Sequence, residues 1–442
     1  MTRPPVGRLS ALVVAAGLIA APAAVLRALC VGRSCDSQAA SEARVPFCSL
    51  PSRTRELVSA GYREDRSPDL FAVTSTPSVA GGTAFRPGGP APHWPSVRPG
   101  PTGEVPLIFW GAGVARGHLP SSASLDGVAP TLAHILDLSR PHPEVRSGRR
   151  LLARDGGPRP RLVLVVVWKG RSLADIAARK GTLPVVYRLM RLGASGAARA
   201  GSLPLDPAAV MTTIGTGGLP AQHGVTGTLL RNDAGRLVRA WAPASPPSVI
   251  AALGDDLDRA SGGRSRLGVV GTSVGDRGLI GKDWYLGGDR DRAIEARNAT
   301  TRAIGEVRRG YGRDRVPDLL AVADAGPLPT LDRALGKLLA AARRASRGAL
   351  TVVVTATGAT TRVPDGITGA DVAAEVDRRV RADEVIEAVA PGGLFLDEMA
   401  LARKGVDDDA IARALRAMDD PSARPLFADV FTSAAIRFGR FC

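Results

Sequence analysis

The chain has 442 residues, of which 45% are hydrophobic and 23% are charged, so it can bury a full core and belongs to the globular class. Its net charge of +16 and pI near 10.8 raise the question of nucleic acid. Arginine is spread along the whole sequence, however, aromatic residues make up 4%, and no nucleic-acid-binding motif is recognisable. We therefore expect no nucleic-acid partner, whereas an anionic membrane or cell-wall surface remains an alternative to an ordinary solvated arginine-rich surface.

Residues 1–29 predict a signal peptide or a membrane anchor. Arg3 and Arg8 precede an apolar run at 9–26, and an Ala-x-Ala site lies at 21–23, as in secretory signals. The run of about 18 residues is also close to the minimum length of a spanning helix. We expect an exported protein, either extracellular or held by a retained anchor and facing outward.

The four cysteines fit an exported chain that forms disulfides. They are Cys30, Cys35, Cys48 and Cys442. Three precede residue 50 and the fourth is residue 442, so we predict a Cys48–Cys442 bridge and a small Cys30–Cys35 loop where that segment is retained. A metal cluster is disfavoured because no histidine or second C-x-x-C pair accompanies them.

The first third of the chain contains two helix and two strand candidates. A helix is predicted at 52–62 and a buried strand after the Ser67-Pro68 turn, ending near residue 74. A Pro- and Gly-rich loop at 75–104 contains His93 and is long enough to be functional or disordered. A strand at 105–113 and a helix at 126–138 follow, with Pro130 in the first turn of the helix.

The remainder begins with a predicted polar linker at 139–160. The apolar run at 162–168 is typical of a central parallel strand and ends at Lys169. Helices are predicted at 182–193 and 331–345, and strands at 266–272, 317–324 and 350–355. Further helices and strands alternate through 394–397 and 427–438. This alternation predicts an α/β fold with a mostly parallel sheet sandwiched by helices.

Three stretches resemble one known family. Thr213-Ile-Gly-Thr-Gly, followed by Leu219-Pro-Ala-Gln-His-Gly, resembles the segment after the nucleophile in the alkaline phosphatase superfamily, especially its nucleotide pyrophosphatase/phosphodiesterase branch. Val105-Pro-Leu-Ile-Phe and Asp126-Gly-Val-Ala-Pro-Thr resemble the strand and helix that close the core domain of that superfamily. The resemblance implies an alkaline-phosphatase-like core, in which His223 is a structural turn residue.

The order of these stretches is unusual. Residues 46–138 resemble the C-terminal part of the superfamily core, whereas 161–442 resemble its N-terminal and central part. We predict that 46–442 form one circularly permuted domain, because each half alone would leave unpaired strand edges. The predicted Cys48–Cys442 bridge agrees, since domain ends are often close together. Two partial copies in tandem are the alternative.

The residues that the resemblance requires for catalysis are largely replaced. A two-metal phosphoryl-transfer site needs carboxylates and imidazoles around the ions and a hydroxyl nucleophile. The metal-binding Asp after the first core strand is Lys169, and the nucleophile position falls on Pro207. An Asp-x-x-x-His pair keeps only Asp324, and an Asp-His pair has become Ala356-Thr357. The chain contains five histidines, too few for a typical three-His, three-Asp site.

Several residues remain as binding candidates. They are Lys169, Thr213, Thr216, His93 and Asp324. Lys169 offers a cation that can neutralise carboxylates or bind a phosphate-like anion. Thr212, Thr213 and Thr216 are expected near a helix N-terminus, where hydroxyls and amides form an anion cradle. Asp324 and His93 are the metal candidates, and Thr212 and Thr213 the nucleophile candidates, of a reduced site. Asp324 has a helix cap as its alternative role.

The sequence thus predicts an exported, alkaline-phosphatase-like protein that has lost metal-dependent hydrolysis and binds or scaffolds at the cell envelope. Its expected partner is a phosphate-bearing or other anionic ligand, and no cofactor is expected. The first alternative is a divergent phosphodiesterase or phosphatase that uses zinc or manganese in a reduced site. The second is a structural envelope protein.

Overall fold

Residues 47–75, 94–100, 103–153, 157–282, 284–285, 291–359, 367–419, 423–439 and 442 are described by a computed structural model. The strands along the chain are β1 (Leu70–Thr74), β2 (Glu104–Gly111), β3 (Gly117–His118), β4 (Leu162–Trp168), β5 (Ala194–Arg199), β6 (Leu229–Arg231), β7 (Leu237–Arg239), β8 (Leu267–Gly271), β9 (Asp291–Glu295), β10 (Asp318–Asp324), β11 (Leu350–Ala356), β12 (Ile386–Ala390), β13 (Gly393–Leu396) and β14 (Phe427–Thr432). The helices are α1 (Ser52–Gly61), α2 (Val128–Ile135), α3 (Leu173–Ala177), α4 (Pro184–Leu192), α5 (Pro207–Thr216), α6 (Pro220–His223), α7 (Leu253–Ser261), α8 (Ala299–Arg308), α9 (Leu328–Ala345), α10 (Gly369–Val380), α11 (Glu398–Lys404), α12 (Asp408–Arg416) and α13 (Ser433–Phe438).

An eight-stranded sheet forms the centre, in the order β3-β5-β2-β11-β4-β10-β8-β9. β2 runs antiparallel to both of its neighbours, whereas the other adjacent pairs are parallel. The apolar runs of β4, β10 and β11 are buried along their whole length, as expected for strands covered on both faces. The predicted α/β fold with a mostly parallel sheet is confirmed.

Amphipathic helices such as α9 and α4 cover the sheet through one apolar face. α9 buries Leu331, Leu335, Leu338 and Ala342, a spacing that places these side chains on one side of the helix. α9 begins at Leu328, slightly before the predicted start at 331. α4 and α2 lie within the predicted ranges 182–193 and 126–138. The apolar patterning of the sequence therefore predicts where these helices lie along the chain.

A second, antiparallel sheet has the order β12-β13-β1-β14. β1 is fully buried and pairs with β13 at Leu70↔Leu394 and with β14 at Leu70↔Thr432. The part of the chain at 47–138 thus gives β1 to this sheet and β2 to the central sheet. Residues 47–442 form one compact unit. That this order arose by circular permutation stays a prediction.

The predicted linker at 139–160 is bound to the core by an ion pair and hydrogen bonds. The Arg140 guanidinium lies 2.6 Å from the Asp256 carboxylate, and the two side chains are 6% and 0% exposed. Arg146 donates to the carbonyl of Thr216 at the end of α5 and to that of Ala251. Burial of the Arg146 guanidinium, beside that of Arg140, lowers its pKa. This connection therefore positions α5 and α7 as well as joining α2 to β4.

Some predictions fall outside the described residues: the signal or anchor at 1–29, the Cys30–Cys35 loop, and His93. Within the described ranges, no helix combines the length and apolar character needed to cross a membrane.

The Cys48–Cys442 disulfide is confirmed, with 5.5 Å between the two Cα atoms. It connects residues that are 394 positions apart in the sequence. Cross-linking such distant residues restricts the unfolded chain far more than the folded one.

We expect the Cys48→Ser/Cys442→Ser variant to lose about 2–4 kcal/mol of unfolding free energy, because its unfolded chain gains freedom. Equilibrium urea denaturation without reductant measures the loss. Wild-type protein in reductant is the control and should match the variant. Free thiols at both positions in non-reducing peptide mapping of the wild type would contradict the assignment.

Candidate functional site

Five neighbouring parallel strands end at one edge of the central sheet. Their last residues are Ala356 of β11, Trp168 of β4, Asp324 of β10, Gly271 of β8 and Glu295 of β9. Open α/β sheets place ligand sites at this carboxyl edge. Lys169 directly follows the central strand β4 at this edge, and its backbone N–H donates to the Asp324 carbonyl over 2.9 Å.

The Lys169 side chain is engaged in a nearly buried ion pair. Its Nζ lies 2.8 Å from Asp276 Oδ1, with the two side chains 14% and 2% exposed. Nζ also donates to Thr272 Oγ1 at 2.9 Å and Ser273 Oγ at 3.0 Å. An ammonium has three N–H donors, so each has an acceptor here. Lys169 neutralises a carboxylate and keeps no donor free for an anion.

Asp276 is the partner that sequence reasoning missed. It lies in the 3₁₀ turn Val274–Leu279, and its carboxylate also accepts the backbone N–H groups of Thr272 and Ser273 at 2.8 and 3.0 Å. The available signal was the Ser-x-x-Asp spacing directly after the strand at 267–271, which is typical of a capping box. Together these bonds hold the turn after β8 against the end of β4.

Asp324 lies at the same edge but faces a helix. Its carboxylate is 3% exposed and accepts the Thr300 N–H at 2.8 Å in the first turn of α8. A negative charge at a helix N-terminus is stabilised by the helix dipole and satisfies an otherwise unbonded amide. The contacts are those of the capping role that was the alternative for Asp324.

Pro207 is the first residue of α5. Asp206 precedes it as the N-cap, and its carboxylate accepts the Ala208 N–H at 2.8 Å and the Thr228 hydroxyl at 2.9 Å. Burial raises the pKa of the Asp206 carboxyl. The nucleophile position of the resembled superfamily therefore holds a ring without hydroxyl or N–H, fixed at a helix start.

The expected anion cradle at Thr212, Thr213 and Thr216 is wrong. Because α5 begins at Pro207, these residues lie in its interior and final turn, and all three are 0% exposed. The Thr212 hydroxyl donates to the Ala208 carbonyl at 2.8 Å, and the Thr216 hydroxyl donates to the Thr212 carbonyl at 2.7 Å. Neither backbone amides nor hydroxyls of these threonines reach a ligand-accessible surface in this arrangement.

His223 is a structural residue of the α6 turn. Its Nδ1 accepts the Val225 N–H at 3.1 Å, so the ring hydrogen lies on Nε2 and is donated to the Thr213 hydroxyl, also at 3.1 Å. Complete burial lowers the pKa of His223 to about 3. The imidazole is therefore neutral at physiological pH and joins α5 to α6.

The metal-ligating side chains in the described part of the chain do not fit a two-metal site. Across the described ranges, no group of three or more His, Cys, Asp and Glu side chains is arranged to hold a metal ion. The ammonium of Lys169 lies where the resemblance expects a metal-binding carboxylate, and Asp324 is turned to α8. His93 is outside the described residues.

Two cavities open on the carboxyl edge. The larger, about 350 Å³, lies where β5 ends and β2 begins. It has a buried apolar wall of Leu57, Leu203 and Leu205, and its lining includes the exposed Arg53 and Arg199. The smaller, about 230 Å³, lies beside Asp276 and mixes acidic with basic side chains. The lining also includes Glu104, which lies opposite Arg199 in the β2–β5 pairing, and Arg53 is ion-paired with Glu56 at 3.3 Å. The larger cavity therefore combines an apolar wall with two basic side chains and one acidic side chain.

No protein-family model and no curated protein sequence matches the chain. Among solved structures, a mutant of alkaline phosphatase PafA is 12% identical, with a TM-score of 0.42, and the match covers 63% of this chain and 86% of that one. Wild-type PafA is also 12% identical, with a TM-score of 0.40, and the match covers 63% of this chain and 85% of that one. Phosphonoacetate hydrolase from Sinorhizobium meliloti 1021, in complex with phosphonoformate, is 17% identical, with a TM-score of 0.40, and the match covers 62% of this chain and 76% of that one. These are hydrolases of the alkaline phosphatase superfamily. Scores this low describe a distant likeness, which carries no argument about the activity of this chain.

We expect Lys169→Met to lower the free energy of unfolding by about 2–4 kcal/mol, because it leaves the Asp276 carboxylate buried without a cation. Urea denaturation at neutral pH measures the change. Arg437→Met is the matched control, since it breaks an ion pair with Glu64 whose side chains are 51% and 58% exposed, and should cost under about 1 kcal/mol. Equal, small losses in both variants would refute the assigned role.

We expect His223 to make the protein less stable as the pH falls below 6.5. The unfolded imidazole binds a proton near its ordinary pKa of 6.5, whereas the folded one resists protonation down to about 3. The free energy of unfolding should therefore fall by about 1 kcal/mol per pH unit from this group. His223→Asn, whose oxygen can still accept the Val225 N–H, should lack this part of the slope in urea melts. Identical slopes in both proteins would contradict the prediction.

Proposed function

We propose that this chain is an alkaline-phosphatase-like protein that binds an anionic ligand without metal-dependent phosphoester hydrolysis. The observation that carries the proposal is the Lys169–Asp276 ion pair at the carboxyl end of the central strand β4. The resemblance expects a metal-binding Asp at this position. A fixed ammonium there opposes a divalent cation by electrostatic repulsion, which is strong in a partly buried site.

The residues at the helix start after β5 support the same proposal. Pro207 has no hydroxyl that could attack phosphorus, and covalent phosphoryl transfer requires such a nucleophile. The neighbouring threonines donate their hydroxyls within α5 or contact His223. Pro207 and these threonines are thus engaged in forming α5 and in joining it to α6.

The larger cavity on the carboxyl edge is the proposed ligand site. Its lining has two guanidinium groups, those of Arg53 and Arg199, against the single carboxylate of Glu104. This excess of positive charge beside an apolar wall suits a small anion that carries an apolar group, such as an aryl phosphate. Lys169, with its three donors occupied, has a structural role in this proposal. The cavity lies beside Gly201–Leu205, close in the chain to the position of the superfamily nucleophile.

The proposed location is outside the cytoplasm, with a binding or scaffolding role at the cell envelope. The Cys48–Cys442 bridge supports this location, because disulfides persist mainly in oxidising compartments. The predicted signal or anchor at 1–29 points in the same direction.

Metal content and activity test the loss of hydrolysis. We expect purified protein to hold far less than one zinc or manganese ion per chain, and bis-p-nitrophenyl phosphate to be hydrolysed no faster than in protein-free buffer supplied with either metal. Asp324→Ala is the matched control. Stoichiometric metal, with hydrolysis that Asp324→Ala abolishes, would overturn the proposal in favour of a divergent phosphodiesterase.

Thermal shift tests the binding. We expect saturating phenyl phosphate to raise Tm by about 1–3 °C, because a ligand that binds the folded state stabilises it. Arg53→Gln/Arg199→Gln should lose the shift, whereas Arg403→Gln, an exposed arginine on α11, should keep it. Equal shifts in all three proteins would reject this cavity, and no shift in the wild type would favour a structural role.

A further inference from the structure

The opposite edge of the central sheet, where the parallel strands begin, is rich in arginine. β4 is preceded by Arg159, β8 by Arg264 and Arg266, and β10 by the segment 308–315, Arg-Arg-Gly-Tyr-Gly-Arg-Asp-Arg. β11 is preceded by Arg343, Arg344 and Arg347. All of these arginines are exposed. We call the surface that they form the amino-edge face.

Backbone contacts show that these segments are neighbours in space. The Arg161 N–H donates to the Ala349 carbonyl at 2.8 Å, and the Leu319 N–H donates to the Arg266 carbonyl at 3.0 Å. The buried Asp318 carboxylate accepts the N–H groups of both Arg266 and Gly312, at 2.8 and 2.7 Å. One carboxylate therefore holds the segments before β8 and β10 together.

The positive charge of the amino-edge face is little compensated. Glu306 pairs with Arg309 but is shared with Arg292 and Arg302, so one carboxylate faces three arginines. Asp314 is the one exposed acidic residue in the segments 308–315 and 343–347. Within the described part of the chain, no ion pair involves Arg313, Arg315 or the three arginines before β11. By contrast, the acidic Asp276 and Asp324 of the carboxyl edge are bonded to a lysine and to a helix start.

The arrangement suits a broad anionic surface more than a strand in a groove. Four strands that begin side by side spread the arginines over about 15 Å at the usual strand spacing. Each arginine that lies near an anionic bilayer adds to the electrostatic attraction, which falls off within a Debye length. The chain has few aromatic residues, and base stacking on aromatic side chains is what binding of single-stranded nucleic acid requires.

We propose that the amino-edge face docks this protein on a bilayer that contains anionic phospholipid. The predicted signal or anchor at 1–29 favours lipid over a soluble polyanion, because a retained anchor keeps the domain beside a membrane. In this orientation the carboxyl edge, with the cavity beside Arg199, faces away from the bilayer and stays open to ligands. The proposal is independent of what the cavity binds.

Co-sedimentation with vesicles tests it. The probes are vesicles of phosphatidylcholine alone and vesicles with phosphatidylglycerol as about one third of the lipid. We expect wild-type protein to sediment with the anionic vesicles only, and less as NaCl rises from about 50 to 500 mM. Arg343→Gln/Arg344→Gln/Arg347→Gln should weaken binding at least about tenfold.

The matched control removes the same charge elsewhere. Arg236→Gln/Arg239→Gln/Arg403→Gln changes three exposed arginines on β7, the turn before it and α11, and should weaken binding less than about twofold. Circular dichroism and Tm verify that both triple variants fold. Equal weakening in the two variants would overturn the proposal in favour of diffuse charge. Retention on heparin or DNA without binding to anionic vesicles would also overturn it, in favour of a soluble polyanion.

Discussion

The central sheet depends on the insertion of β2 between β5 and β11. β2 pairs along Glu104–Phe109 with β5 and along Ile108–Gly111 with β11, and Leu107, Ile108 and Phe109 are at most 1% exposed. Without it, two strand edges and a set of large apolar side chains would face water. The parallel strands from 162 onward therefore cannot form a complete sheet from their own segment. The part of the chain at 47–138 is structurally indispensable, whatever its evolutionary origin.

The proposal that Lys169 replaces a metal-binding aspartate has a simple electrostatic basis. A divalent cation and an ammonium both stabilise a carboxylate at a strand end, so charge compensation survives the exchange. Under this proposal the metal chemistry is lost, because an ammonium has no open coordination position and cannot polarise a phosphoryl oxygen as a Lewis acid. Lys169 and Asp276 thus hold the turn after β8 against the end of β4.

Much of the fold could be predicted from local patterns, because buried strands such as 162–168 and amphipathic helices such as 331–345 leave a periodic signal. The contacts of the candidate site were harder to predict. The ion pair joins Lys169 to a residue 107 positions away, and one sequence carries no direct record of such a contact. The expectation for the threonines of α5 is wrong because the helix starts earlier, at Asp206-Pro207, a cap followed by a proline at the first helical position. The second sheet was also unforeseen, since pairing of β1 with β13 and β14 depends on distant segments.

The bridge between Cys48 and Cys442 turns residues 48–442 into a covalent ring. Opening such a ring at another peptide bond changes the order of the segments along the chain but not their arrangement in the fold. A single protease cut between α2 and β4 would leave one covalently continuous molecule, which could then be traced from residue 161 through Cys442, across the sulfur bridge, to Cys48 and on to residue 138. That path has the order that the resemblance predicts for an unpermuted core.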